Sequence, residues 1–362
     1  MGKDSRMVSF VKDLEKDGTI SEIVNFVKNS KRGELELCFR GNSQPEAITI
    51  YRNNHMVWNV KKIKNNYEID ISLNHARYTQ NWKKKINDMI EENQEYSGKI
   101  CPAIKQNSDG YCYVGYFKSN KMSRVENAFL KKTYCVINDL FSDYFDSTKN
   151  IDEFRTEKLG SSYVVKKKKV YEEKVKQQEL YSKILNGTNS EYLAYDLEFV
   201  QPELKEDSNQ PDMFAIKKLG DGKFKIVLVE VKSTESACTG KSGLVNHLKG
   251  MLEYIKVDTY MDARKDDAIN IIKAFRNLGL RGVGNDFKVF DTVTSQDMFQ
   301  GIEILFVVTG EGKGGAIDYC NRIKKAKSQT YKKFKTICST INNCDIVLKQ
   351  YTDDCEFKSF VL

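Results

Sequence analysis

The chain has 362 residues, long enough for two domains with an ample core. Lys and Arg number 58 against 50 Asp and Glu, a formal net charge of +8 that suits an anionic partner without requiring one. The polar start Met1-Gly2-Lys3-Asp4-Ser5-Arg6 has no apolar signal region, Arg6 breaks a myristoylation pattern, and no run nears the roughly eighteen apolar residues of a membrane span.

The nine cysteines are odd in number and include no C-x-x-C pair, which excludes a disulfide framework or a zinc finger and fits free thiols in a reducing cytosol. The expectation is a cytoplasmic protein with no membrane partner.

The first domain is expected over residues 1–150. A helical stretch near Asp13 to Lys28 is interrupted at Gly18. Alternating runs at Glu34–Arg40, Ala47–Tyr51, Met56–Val60 and Tyr67–Ile71 predict half-exposed strands, with Asn53-Asn54 as a hairpin turn. Helices follow near Thr79 to Glu92 and Arg124 to Phe145, giving an α+β domain of meander type. Within it Arg40, Tyr51, Arg52, His55, Trp58, His75, Arg77, Tyr78 and Trp82 interleave basic and aromatic side chains. Such a set can stack bases and hold phosphates; it would also suit a nucleotide effector pocket, a dimer face or a core with a polar rim, and aromatic residues in strands are usually core. The domain is therefore read as a recognition or sensing module for an effector or a recognition element. Polar composition and a helix break place the boundary within Ser147 to Gly160, and the second domain is expected over 151–362.

The second domain opens with the run Lys166-Lys167-Lys168-Lys169, a candidate nucleic-acid contact through counterion release, and a helix over Lys174 to Leu185. Glu191 to Val200 reads as a strand on which Asp196 and Glu198 share a face. Pro211-Asp212 opens the next strand. The apolar run Phe224 to Val229 that ends in Glu230-Val231-Lys232 reads as a strand buried on both faces. Adjacent hairpin strands would bring Asp212 and Glu230 side by side, with Lys232 on the same face as Glu230. Two carboxylates at a sheet edge suit a hard divalent cation, which prefers a few carboxylates plus substrate phosphates, and a neighbouring Lys can orient an attacking water. Solvated strand ends are the bland alternative, but an unpaired carboxylate after six mostly apolar residues would be costly.

This order of strand, turn, strand and basic helix, with Pro211-Asp212 and Glu230-Val231-Lys232, resembles the PD-(D/E)XK (restriction-endonuclease-like) nuclease superfamily over about residues 170–310. The resemblance implies an α/β fold whose C-terminal mixed sheet is flanked by helices. It implies a metal-dependent endonuclease in which Asp212 and Glu230 hold Mg²⁺, or Mn²⁺ in its place. The Val231 carbonyl would add a ligand and Lys232 would position the nucleophilic water. An extra acid from the first strand or the helix before it completes the site in the family. Glu198 is the choice here, with Glu179 as a rival that a solvated helix face explains better. The helix Leu244 to Ile255 puts His247 about where family members carry a polar residue facing the site. The resemblance further implies DNA in preference to RNA as substrate, cleavage to 5′-phosphate and 3′-hydroxyl ends, a setting such as restriction, phage defence or repair, and room for a homodimer.

Two other motifs compete. Gly240-Lys241-Ser242 follows a strand as a P-loop would, but position 235, where the P-loop requires its first glycine, is Glu. Lys241 remains a candidate phosphate contact. Gly310-Glu311-Gly312-Lys313-Gly314-Gly315 fits G-x-G-x-x-G after the strand Ile302 to Thr309, yet the stretch Thr330 to Lys335 supplies no acidic residue for a ribose. It reads as a turn, followed by a basic stretch from Arg322 to Lys335. The rival from another class is a non-catalytic nucleic-acid-binding or regulatory protein that keeps a nuclease-like fold.

Overall fold

A computed structural model describes residues 10–31, 34–40, 46–73, 82–96, 99–101, 116–139, 173–187, 190–197, 210–240, 243–281, 283–293, 296–352 and 357–359. Glu198, Lys241, Lys166 to Lys169 and the expected boundary at 147–160 lie outside them. Described residues up to 139 form one compact unit and those from 173 onward another. The class is mixed α/β with one six-stranded sheet in each unit.

In the first unit α1 (Val11–Leu14) and α2 (Ser21–Asn29) are separated at Gly18, where a Cβ would lie 2.1 Å from the Asp13 carbonyl oxygen. The chain turns there because no side chain fits. Strands β1 (Glu36–Arg40), β2 (Ala47–Arg52), β3 (His55–Ile63), β4 (Asn66–Ser72), β5 (Lys99–Cys101) and β6 (Tyr116–Lys118) pair antiparallel in the order β1-β2-β3-β4-β6-β5. Asn53 and Asn54 turn the β2–β3 hairpin with φ of 50° and 56°, the left-handed pair that Asn tolerates best after Gly. Alternation separates the two faces. Leu37, Ile50, Trp58, Ile71 and Phe117 stand opposite one another as a buried row across five strands. Thr49, Asn59, Asp70 and Lys118 form the neighbouring polar row. On the apolar face the Trp58 ring meets Phe26 of α2 at 5.4 Å, and Tyr134 of α4 (residues 127–139) at 5.7 Å. Trp58 is thus core. Arg40 donates to Tyr51 Oη and Arg52 to Asn138 Oδ1, so the interleaved basic and aromatic residues among them tie the sheet together. Helix α3 (Trp82–Glu92) completes the described elements of this unit. His75, Arg77 and Tyr78 lie outside the described residues.

The second unit begins with α5 (residues 173–179), which widens into a π-turn at Leu180–Ile184. Its sheet runs β12-β11-β10-β9-β8-β7. Strands β7 (Tyr192–Leu197), β8 (Met213–Gly220) and β9 (Lys223–Lys232) are antiparallel neighbours. Strands β9, β10 (Phe299–Val308) and β11 (Asp345–Tyr351) run parallel, and β12 (Phe357–Ser359) closes the edge antiparallel. Parallel neighbours need long crossovers. Helices α6 (Leu244–Ile255) and α7 (Asp258–Leu278) supply the first, α8 (Ala316–Lys325) and α9 (Gln329–Thr340) the second. Helix α7 packs on β7 and β8. Strand β9 is central, and every residue from Ile226 to Lys232 is buried, as a strand paired on both edges and covered on both faces requires. No helix among the described residues is long and apolar enough to cross a membrane.

Candidate active site

The site grows from the β8–β9 hairpin. Asp221 and Gly222 turn it with φ of 49° and 70°, a two-residue turn of the D-G type that fixes the register. Met213 stands opposite Val229, so Asp212 and Glu230 occupy the next facing positions just beyond the end of β8. With no further β8 residue to pair with Val231, the Asp212 carboxylate takes that place. Its Oδ2 accepts the Val231 N–H at 2.7 Å. The N–H and C=O of one strand residue point to the same edge, so the Val231 carbonyl opens toward Asp212 as well. Lys232 points its backbone the other way, where its carbonyl accepts the Thr309 N–H at 2.8 Å.

Glu230 and Lys232 share a face of β9. Lys232 Nζ lies 2.5 Å from Glu230 Oε1, with side chains only 3% and 2% exposed. His247, on the first turn of α6, brings Nδ1 to 2.7 Å from the same oxygen. That approach is short but off the line of a hydrogen bond, and it becomes an ion pair only when the imidazole is protonated. Among the described residues, Glu230 Oε2 is buried without a hydrogen-bond partner. A second buried acid in the same sheet provides the contrast. Glu303 on β10 receives Tyr192 Oη at 2.6 Å on one oxygen and Lys217 Nζ at 2.8 Å on the other. Glu303 is satisfied as a structural ion pair, whereas Glu230 keeps one oxygen without a protein donor, at an energetic cost of about 1–3 kcal/mol.

A third acid joins from a helix. Ser233 Oγ, one residue past Lys232, donates to Glu173 Oε2 at 3.2 Å. Glu173 stands four and seven residues before the buried Gln177 and Leu180, on the inward face of α5. That spacing shows in the sequence that Glu173 shares the inward helix face, but it does not bring it to the site by itself. Glu179, on the same helix, pairs with Lys176 and Lys183 outside this group. Asp196 is buried on β7, where its Oδ1 accepts the Leu197 N–H.

These carboxyls do not titrate alike. Burial pushes Asp212 well above the usual carboxylate range, the Glu230 charge adds to the rise, and Lys232 and the Val231 N–H only partly oppose it. Burial also raises Glu173, against the pull of Lys232. Burial would raise Glu230 too, but Lys232 and His247 reverse the effect and hold it below its ordinary value. Burial disfavours the Lys232 ammonium, yet Glu230 and Asp212 keep it charged to higher pH than a free lysine. One cluster thus holds an ionised carboxylate and an ammonium beside two carboxyls that resist ionisation.

No group of three or more His, Cys, Asp or Glu side chains close enough to hold a metal ion occurs among the described residues. Two carboxylates and a backbone carbonyl remain, a donor set of hard oxygens that fits Mg²⁺ when water and substrate oxygens fill the other positions. The orphaned Glu230 Oε2 and the strained ionisation of Asp212 are both features a divalent cation would relieve.

Behind the site, the glycine motif is a packing device. Gly310 has φ of 77°, and a Cβ there would meet the Ser233 carbonyl oxygen at 2.2 Å. Ala316 N–H donates to that oxygen at 3.2 Å and Glu235 N–H to the Gly314 carbonyl at 2.9 Å, so the loop closes directly on the residues that follow Lys232. Arg322 of α8 pins the same segment through Glu235 at 2.6 Å. Lys325, Lys327, Lys332 and Lys333 are exposed along α8, α9 and their connection. Gly240 is described, with φ of 67°, while the remainder of the Gly240-Lys241-Ser242 motif is not. Comparisons of the chain with protein-family models, curated proteins and solved structures give no match.

Proposed function

We propose that the chain is a metal-dependent phosphodiesterase acting on nucleic acid, a nuclease of PD-(D/E)XK type with DNA preferred over RNA. The observation that carries this reading is the convergence of Asp212, Glu230 and Lys232 at the end of two paired strands, with one Glu230 oxygen left unpartnered. Asp212 and Glu230 would hold Mg²⁺ or Mn²⁺ together with the Val231 carbonyl. The cation, when bound, neutralises charge on the scissile phosphate and makes a nearby water more acidic. Lys232 stays protonated, so it acts by orienting that water and stabilising the developing charge, and it does not serve as a proton acceptor. His247 holds Glu230 from the α6 side, a positioning role. Glu173 is the acid contributed by the helix before the first strand, and the exposed lysines of α8 and α9 offer a path for phosphates.

The test is cleavage of plasmid, single-stranded DNA and RNA with Mg²⁺, Mn²⁺ or EDTA, by wild type, Asp212→Asn and Lys232→Met. Metal-dependent cutting that both substitutions abolish supports the reading, and substrate binding with no cutting under any metal overturns it. The second reading, a nuclease-like fold that binds nucleic acid without cutting, draws on the double engagement of Glu230 Oε1 by Lys232 and His247. It predicts binding unaffected by EDTA.

A further inference from the structure

The first unit has a cleft of about 420 Å³ between α2 and α4, within the size range of small-ligand sites. Its apolar surface comes from Phe26 and Tyr134, whose rings meet edge to face at 5.2 Å. Both rings pack against buried Trp58 on their inner side and keep partial exposure where they line the cleft. The polar groups arrive in helical pairs. Asn25 and Asn29 lie four apart on α2, and Asn127 and Lys131 four apart on α4, so each pair presents one face to the space between. Lys31 stands at the end of α2.

The charges in this cleft are sorted. Its acid, Glu34, is already occupied: Tyr134 Oη donates to Oε1 at 2.7 Å and the Lys31 N–H to Oε2 at 3.3 Å. The Lys31 and Lys131 ammoniums outnumber it. What remains for a ligand is therefore an aromatic wall of two rings set edge to face, one of whose faces a base can stack on, carboxamides that present a donor and an acceptor side by side, and a net positive rim. A planar base with hydrogen-bonding edges and an attached phosphate matches all three.

We propose that this cleft binds a mononucleotide or the terminal nucleotide of a strand, with the base against Phe26 and Tyr134, its edge read by the Asn carboxamides and its phosphate on Lys131 and Lys31. This goes beyond the phosphodiesterase reading and does not depend on it. Phosphate supplies charge and the base supplies area, so neither half alone should bind well.

The experiment is isothermal titration of the full chain with AMP, GMP, CMP and UMP, with the corresponding nucleosides, and with inorganic phosphate, in EDTA so that no cutting occurs. Trp58 fluorescence is the second readout, since Trp58 touches both aromatic walls. At least one nucleotide is expected to bind with Kd below about 1 mM and its nucleoside at least about tenfold more weakly, a difference of 1.4 kcal/mol. Lys131→Gln and Asn127→Asp, both at exposed positions that leave the core intact, should each weaken binding about tenfold. Asp212→Asn should leave it unchanged. Absence of binding by every nucleotide at several times that concentration overturns the proposal. Binding that survives Lys131→Gln and Asn127→Asp but disappears in Asp212→Asn also overturns it, by moving the ligand to the other site.

Discussion

Removing the Lys232 ammonium while keeping its bulk tests the buried pair at the centre of the site. In Lys232→Met the Glu230 carboxylate, 2% exposed, loses the cation 2.5 Å away and, among the described residues, retains His247 at 2.7 Å. Breaking a buried pair by deleting one partner costs about 3–5 kcal/mol. The remaining imidazole contact puts the cost near the lower end, about 3 kcal/mol. For a unit of this size that is a fall of roughly 6–12 °C in its melting transition. Glu230→Gln strands the ammonium instead, although Asp212 can still compensate it, so about 2 kcal/mol is expected. The double variant buries neither charge and should cost less than the two singles together, with a coupling of about 2 kcal/mol. Calorimetry and urea unfolding at pH 7 measure all four forms. The pH is well chosen. Lys232, raised in the folded state, contributes its stability below the ordinary lysine value and loses it as pH rises through the higher folded value. Glu230, lowered in the folded state, contributes above the ordinary carboxylate value and loses its share as pH falls through the lower one. Between these limits the pair is intact. Single-variant losses below about 1 kcal/mol that simply add in the double variant would show that the charges are not paired in a dry site.

The other tests concern the neighbours of that pair. Asp212 is raised in the folded state, so the wild type should lose stability as pH climbs from the ordinary aspartate value through the raised one. Asp212→Asn removes that slope and should exceed the wild type by about 1 kcal/mol at pH 8 in EDTA, while the two converge near pH 4; an Asn variant weaker at pH 8 would contradict this. Addition of 10 mM Mg²⁺, for a dissociation constant of about 1 mM, should stabilise the wild type by about 1.4 kcal/mol and leave Asp212→Asn unmoved in the same thermal scan. Glu173→Gln removes a neighbouring negative charge and should shift the pH midpoint of this Mg²⁺ effect downward, whereas an unchanged midpoint would place Glu173 outside the cluster's field. Gly310→Ala should cost more than Gly312→Ala by about 2 kcal/mol on chemical denaturation, since both have φ near 78° but only Gly310 faces the Ser233 carbonyl.

Periodicity made the local pieces of the fold readable. The Asn53-Asn54 hairpin, the interruption at Gly18, the helix Leu244–Ile255 and the apolar run Ile226–Val229 within β9 each carry their own turn or spacing signal. Helix α7 was missed because its inward face carries Arg264 and Asp267, both fully buried and paired at 3.1 Å. Charges on the buried stripe erase the contrast that reveals an amphipathic helix. Strand β11 is half-exposed along most of its length and lacks the run of apolar residues that marks β9. Within the site, Asp212, Glu230 and Lys232 were legible because a two-residue turn makes their proximity a local matter. Glu173 was not, since its approach to Ser233 depends on how α5 meets the sheet. Trp58 was ambiguous in sequence and resolves as core through its contacts with Phe26 and Tyr134. In the G-x-G-x-x-G match, backbone crowding accounts for Gly310 and Gly315, while Gly312 sits in open space with a positive φ.

The order of strands in the second sheet also sets a timetable. Strands β8 and β9 are joined by a two-residue turn, so Asp212 and Glu230 can meet by local zippering, which for hairpins takes about 1–10 μs. The strand that covers the other edge of β9, together with the glycine loop behind Lys232, arrives only after α6 and α7 have been traversed. Pairing across so long a loop is slow and is reached late. A chain emerging from the ribosome therefore exposes its paired acids before the scaffold that buries them exists. The ionisation that distinguishes Asp212 from Glu230 depends on that burial, so it is acquired only once β10 has docked on β9 and water has left.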